Sequence, residues 1–284
     1  MSNTKSMSLG ELTEAAKDAR LKCLAMGLHA DKEGAHLGGA LSCVEILVAL
    51  YHRIMRIDPS NLTAEDRDRF ILSKGHGVPA LYAVLAQLSI ITNEELGTFK
   101  DYGSLLTGHP SMNPNFGIEF STGSLGQGLS LAVGSCLGMD RKGNSTSRIY
   151  VLLGDGECDE GSIWEAAMAA AHYKLDRITA VVDVNGLQYD GRIDEVLTLG
   201  SLAEKWRAFG WDAYEVDGHD LVELAQAFDA INARTNSNKP AVILAQTVKG
   251  KGVSYMEHNA SWHFSRMTET LYHEAVEEIG GCSC

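Results

Sequence analysis

The sequence predicts an α/β fold: a doubly wound, mostly parallel sheet with helices on both faces. Two short apolar runs rich in β-branched residues, Ile149–Leu153 and Ile178–Val184, read as buried strands. The alanine-rich stretch Ile163–Tyr173 between them has helical spacing, which makes one strand–helix–strand unit. Two further candidate strands, Ala213–Val216 and Ala241–Thr247, alternate with helical patterns in the same way.

Taken in order, apolar positions recur at helical spacing through Leu12–His29, Cys43–Met55 and Val78–Ser89. A polar loop rich in Gly, Pro and Asn follows at Asp101–Gly117, and another helix is expected from near Leu125 to about Met139. Beyond the central unit, Leu202–Phe209 and Leu221–Ala233 read as helices. No repeat, low-complexity linker or Pro-rich hinge divides the chain, so residues 1–284 are expected to form a single domain. About eight N-terminal and about six C-terminal residues are expected to be flexible. A core of this size buries roughly 75% of the unfolded surface and needs no disulfide or metal staple.

The net charge of −13 excludes nucleic acid and anionic membranes as expected partners. Small phosphate ligands remain compatible, because a divalent cation or a helix N-terminus can hold them locally. Met1–Gly10 is polar and lacks the apolar core of a signal peptide, and no apolar run approaches the ~20 residues of a membrane span, so the expectation is cytoplasmic. Cys23, Cys43 and Cys136 lie in apolar helical stretches and read as core thiols. Cys282 and Cys284 form a C-x-C tail that reads as a frayed end.

In a doubly wound sheet, ligands bind beyond the carboxyl ends of the strands. The loops after Leu153, Val184 and Thr247 are therefore where chemistry is expected. Gly154-Asp155-Gly156 follows one strand end, and Asn185-Gly186-Leu187 follows the next, thirty residues on. Asp155 offers a carboxylate oxygen, Asn185 an amide oxygen and Leu187 its carbonyl, a donor set suited to Mg²⁺ with phosphate oxygens completing the shell. Gly156 lets a diphosphate approach the backbone closely, and the helix beginning near Gly161 offers free N–H groups nearby. Taken alone, Gly-Asp-Gly is also an ordinary strand-to-helix turn. The pairing with Asn185 across one strand–helix–strand unit favours metal and diphosphate.

Gly154-Asp155-Gly156 through Asp183-Val184-Asn185 matches the thiamine-diphosphate signature, and Glu160-Gly161-Ser162-Ile163-Trp164-Glu165 with Asn185-Gly186-Leu187-Gln188 resembles transketolase from about Glu11 to His263. The resemblance is to the N-terminal, diphosphate-binding domain. Three glycine-bracketed histidine loops resemble the family's in the same order: Gly34-Ala35-His36-Leu37-Gly38-Gly39, Ser73-Lys74-Gly75-His76-Gly77 and Leu106-Thr107-Gly108-His109-Pro110. The resemblance implies that His36 and His109 bind sugar hydroxyls and that His76 lies close to the cofactor. Thr122-Gly123-Ser124-Leu125-Gly126-Gln127-Gly128 is not a dinucleotide loop, since it lacks the G-x-G-x-x-G pattern and follows no clear strand. In the family, the backbone around Gly123, Ser124 and Leu125 would hold the aminopyrimidine. Glu160 would lie at a subunit contact within a proton network. Lys249-Gly250-Lys251-Gly252 is placed to screen diphosphate charge. His263 matches the family's diphosphate-side histidine, although Phe264 stands where the family often has glycine, and His258 is the alternative.

The resemblance thus implies thiamine diphosphate with Mg²⁺, or another divalent cation such as Ca²⁺ or Mn²⁺. It also implies transfer of a two-carbon ketol unit from a ketose phosphate to an aldose. The pyrimidine-binding domain, with the glutamate that activates the cofactor, is not in this chain, nor are the residues that grip the sugar phosphate. The chain resembles one half of a split transketolase, whose C-terminal subunit would supply both, in an α₂β₂ assembly. Two alternatives are the α subunit of a 2-oxo-acid dehydrogenase and a non-catalytic scaffold of the same fold. The histidine loops argue against the first, and the intact Asp155, Asn185 and histidines against the second.

Overall fold

The computed structural model describes residues 7–235 and 237–280. Cys282, Cys284 and most of the chain ends expected to be flexible lie outside these residues. Five parallel strands form the centre: β1 Arg69–Leu72, β2 Ile149–Gly154, β3 Ile178–Val184, β4 Asp212–Asp217 and β5 Ala241–Gln246. Their order across the sheet is β1-β2-β3-β5-β4, and every pairing is parallel. The expected doubly wound sheet is therefore present, with β1 as an additional edge strand. β1 escaped detection because only Phe70, Ile71 and Leu72 are buried in it, and Asp66–Arg69 before them are charged.

Alternation along each strand splits the core in two. Phe70, Leu72, Tyr150, Leu152, Val181 and Ile243 face one layer; Ile71, Val151, Leu153, Val182 and Leu244 face the other. The first layer contains α1 (Leu9–His29), α2 (Leu37–Leu41), α3 (Val44–Ala49) and α4 (Val78–Gln87), joined on that face by α10 (Leu221–Asn232) and α11 (Glu269–Glu278). The short α5 (Asn93–Leu96) leads into the polar loop. On the opposite face lie α6 (Gly128–Arg141), α7 (Gly161–His172) and α9 (Leu202–Ala208), with the one-turn α8 (Ile193–Val196) preceding α9.

Boundaries differ from expectation where capping or turn geometry decides them. α1 begins three residues early, at Leu9, because Ser8 and Glu11 form a reciprocal capping box. α3 passes into a π-helical turn, Leu50–Ile54, in place of one continuous helix through Met55. α6 starts at Gly128 and not Leu125, the preceding residues being held as a loop against β1 by Thr122, whose hydroxyl donates to the Leu72 carbonyl at 2.6 Å. Cys23, Cys43, Cys136 and also Cys158 are buried free thiols. Among the described residues, no helix is long and apolar enough to cross a membrane.

Candidate active site at the carboxyl edge of the sheet

The carboxyl ends of β1, β2, β3 and β5 deliver Lys74, Asp155, Asn185 and Lys249 to one edge of the sheet. There they line a cleft of about 250 Å³ with His36, His76, His109, His263, Gly123, Leu125, Gly156 and Leu187. Most of the residues expected from sequence thus converge. Ser124 and Glu160 do not line the cleft: both are exposed. Glu160 stands at the start of α7 without making a side-chain cap bond. Of the two candidate histidines near the C-terminus, His263 lines the cleft and His258 is exposed.

A buried ion pair organises the floor. Asp183, at the end of β3, accepts from the Lys74 ammonium and the Thr247 hydroxyl, from Ser42 Oγ at 2.6 Å and from Asn185 Nδ2 at 3.0 Å. Burial alone would raise its pKa, but the Lys74 charge wins and holds the carboxyl below its ordinary value. Lys74 also donates to the Gly39 carbonyl at 2.9 Å, which ties α2 to the strand ends. The amide of Asn185 is thereby oriented, with Oδ1 accepting from Leu187 N at 3.1 Å.

Asp155 has no such direct ion pair, although the Lys74 charge partly offsets it. Its two oxygens accept from Gly156 N at 2.8 Å and Gly186 N at 2.6 Å, yet burial and the neighbouring Asp183 push its pKa up to about 7. A buried carboxylate in this condition is a site that a cation would stabilise. The Leu187 carbonyl already accepts from a cation, the Lys249 ammonium, at 3.0 Å. Among the described residues, no group of three His, Cys, Asp or Glu side chains forms a metal cage. The oxygen set of Asp155, Asn185 and Leu187 suits a hard cation shared with phosphate, and so fits the expected group.

Four imidazoles form the wall above this floor. The ring of His36 lies 5.6 Å from His76, 5.3 Å from His109 and 5.5 Å from His263, and His76 stacks on His263 at 5.0 Å. Burial first, then nearby positive charge, lowers all four: His36 to about 4, His263 to about 3, His76 well below its ordinary value and His109 downward. All four are neutral at pH 7, and each ring can both donate and accept a hydrogen bond. Lys249 bridges to His263 Nδ1 at 2.9 Å, and burial with the Lys74 charge lowers its pKa to about 8.

Close backbone approach explains the glycine loops. A Cβ on Gly75 would lie 2.9 Å from Gly123 N, so the loops bearing His76 and Gly123 could not meet with any larger residue. Gly126 takes φ +82°, and a Cβ there would strike the Ser162 hydroxyl at 2.5 Å. Glu157 joins these loops: its carboxylate accepts from Ser73 Oγ, from Gly126 N at 2.9 Å and from Gly154 N at 3.0 Å. The Lys249 loop is braced from behind. Val248 N donates to His219 Nε2 at 2.9 Å, His219 Nδ1 lies 2.9 Å from Glu45, and Arg20 joins Glu45 to the Lys251 carbonyl at 3.1 Å. This network borders a larger groove between α1, α10 and α11, which none of the four cleft histidines lines.

Lys74, Glu157, Gln188 and Tyr189 also line the cleft and were not singled out from sequence. Lys74 and Gln188 lie inside motifs that were recognised for their neighbours. Glu157 could have been found as an acidic residue two positions after Asp155, where a carboxylate can accept backbone N–H groups at a helix start.

Residues 13–280 match the family described as "Transketolase, thiamine diphosphate binding domain". The chain is 44% identical over 271 residues to one of the apulose-4-phosphate transketolase subunits of Phocaeicola vulgatus, covering 95% of this chain and 94% of that one. It is 46% identical over 246 residues to a 6-deoxy-6-sulfo-D-fructose transketolase subunit of Clostridium sp., covering 86% and 88%. A crystal structure of transketolase from Campylobacter jejuni superposes with a TM-score of 0.87 at 29% identity; the match covers 97% of this chain but only 43% of that one. Fold, cleft and relatives agree: the chain belongs to the transketolase family and is a thiamine-diphosphate-binding subunit of transketolase type.

Proposed function

We propose that this chain is the diphosphate-holding half of a two-subunit transketolase, which moves a two-carbon ketol unit from a ketose phosphate to an aldose. The observation that carries the reading is the convergence of four neutral imidazoles with Asp155, Asn185 and the Leu187 carbonyl in one cleft. Asp155, Asn185 and Leu187 would hold Mg²⁺, Ca²⁺ or Mn²⁺ against the diphosphate, with Lys74 and Lys249 opposing the remaining negative charge. When bound, thiamine diphosphate supplies the electron sink for breaking and making a carbon–carbon bond.

The chain's own residues then position and move protons. His36 and His109 hydrogen-bond sugar hydroxyls, accepting and donating as neutral rings. His76 and His263 stand on the cofactor side, where His263 exchanges protons beside Lys249. Relatives named for a sugar phosphate and for a sulfo-sugar support a ketose with a terminal anionic group as substrate.

A partner subunit supplies the pyrimidine-binding domain and its activating glutamate, in an α₂β₂ assembly. Three things support this. The relatives are named as subunits. The cleft, at about 250 Å³, is smaller than the ~300 Å³ lower bound for sites that enclose a cofactor-sized ligand. Large apolar side chains stand exposed at Tyr102, Leu105 and Met112 on the His109 loop, at Met168 on α7 and at Tyr173 just after it. Glu160 and Ser124, both exposed, would face this partner. Turnover assays with the partner present test the reading: ketol transfer from ketose phosphates is expected. Decarboxylation of 2-oxo acids without ketol transfer would overturn it in favour of a 2-oxo-acid dehydrogenase component.

A further inference from the structure

Lys100 lies outside the cleft, in the loop between α5 and the His109 segment, yet it touches every segment that carries a histidine proposed to face the sugar. Its backbone N–H donates to the Leu106 carbonyl at 2.8 Å. Its stem runs along Gly108, where an added Cβ would meet Lys100 Cε at 3.5 Å. Its ammonium donates to the Gly34 carbonyl at 2.9 Å and the Glu33 carbonyl at 3.2 Å, two and three residues before His36. The same ammonium lies 5.6 Å from the centre of the Phe264 ring, and Phe264 in turn packs edge-on against His36 at 4.7 Å. Ala35 and Ser265 exchange backbone hydrogen bonds at 2.9 and 3.1 Å, which fastens the Phe264 strip to the His36 loop.

Two features distinguish this lysine from an anion anchor. Its ammonium is already engaged by two backbone carbonyls and, at 3.7 Å, by the Glu33 carboxylate, and it is not among the residues lining the cleft. It also adopts φ +67°, a left-handed conformation unfavourable for a residue with a Cβ, held in place by the contacts on both sides.

We propose that Lys100 is a positioning residue: a strut that fixes the spacing of His36 and His109 across the sugar site, with Phe264 as its cover. The proposal rests on the reading of those two histidines as sugar-contacting groups. It goes further in assigning their spacing to a residue that touches no ligand. The charge has a second effect. His36 is lowered first by burial, then by His109, Lys100 and Lys249, with the rings of His76 and His263 also facing it. His109 is lowered by burial and then by Lys100. Removing the ammonium therefore raises both.

The test uses Lys100→Met, which keeps the stem and loses the ammonium, and Lys100→Arg, which keeps a cationic donor. In the complete enzyme with its partner, Lys100→Met is expected to lower kcat/KM for a ketose phosphate at least tenfold. Thiamine diphosphate Kd should stay within twofold, the acid limb of the pH profile should move upward, and Lys100→Arg should recover most of the loss. A kcat/KM within twofold of native, or a loss of cofactor affinity equal to the loss of kcat/KM, would overturn the proposal. NMR titration of the histidines in the full chain without partner separates this from the functional reading. Upward movement of the His36 and His109 midpoints supports the strut even if the native enzyme fails to act on ketose phosphates, a failure that would sink only the proposed function. Unmoved midpoints and unmoved ring resonances overturn the strut whatever the substrate.

Discussion

Replacing Lys74 by methionine removes the cation paired with Asp183 at the floor of the site. The two side chains are 1% and 0% exposed, so water cannot compensate. The carboxylate would keep three neutral donors, Ser42, Thr247 and Asn185, but no paired cation. Breaking a buried pair in this way costs about 3–5 kcal/mol, because a charge is left stranded in a poorly polarisable interior. The sign of the pH dependence follows. In the native chain Lys74 holds the Asp183 pKa below its ordinary value against the opposing effect of burial. Without Lys74, burial lifts it above the unfolded value. The variant is then relatively stable at low pH and loses stability as pH rises through the new folded pKa. Urea unfolding of Lys74→Met, Asp183→Asn and the double variant at pH 5 and pH 8 measures the effect. The account expects the double variant to be less destabilised than Lys74→Met alone at pH 8, with a coupling of about 2 kcal/mol or more. Additive single effects, or a Lys74→Met cost below about 1 kcal/mol at both pH values, would refute the reasoning.

Asp155→Ala removes the only carboxylate of the proposed cation set, and calorimetry with the partner present should show Mg²⁺-dependent thiamine diphosphate binding lost while the fold persists. Unchanged affinity would contradict the assignment. His36→Ala and His109→Ala should each lower kcat/KM by about 1.5–3 kcal/mol with much less effect on cofactor affinity. Native kcat/KM in both would make them structural loop residues. The four lowered imidazoles contribute stability that is present above the unfolded histidine value of 6.5 and lost as pH falls through their folded values, about 4 for His36. An NMR midpoint for His36 near 6.5 would show that burial and neighbouring charge do not act as described.

Legibility in the sequence followed the strength of local signals. β3 was readable to the residue, because Ile178–Val184 is compact and rich in β-branched side chains. β1 was not, since a strand of four residues, three of them buried, is too short to show a periodicity of its own. α11 was missed for a similar reason: only Ala275 and Val276 of it are buried. The histidine loops and the Asp155–Asn185 pair were legible through their motifs, and the structure brings them into one cleft. Their mutual arrangement was not. That three imidazoles gather around His36 depends on loops meeting from α2, β1, the His109 segment and the region before α11. Lys74 and Asp183 were hidden for another reason. Each is a charged residue inside a motif recognised for its neighbours, and only burial of both against each other reveals the ion pair that orients Asn185. The choice between His258 and His263 likewise needed the fold, since His258 takes φ +56° and stands exposed while His263 turns into the cleft.

The most direct test of the central claim is turnover of xylulose 5-phosphate with an aldose acceptor, with thiamine diphosphate and Mg²⁺ present, by the pure chain and by the chain with the proposed C-terminal subunit. The account predicts no ketol transfer by the chain alone and transfer once the partner is added. The cleft holds Asp155 and Glu157, and backbone N–H groups already engage both carboxylates. Robust turnover by the pure chain would contradict it, because the activating carboxylate would then have to lie within this polypeptide.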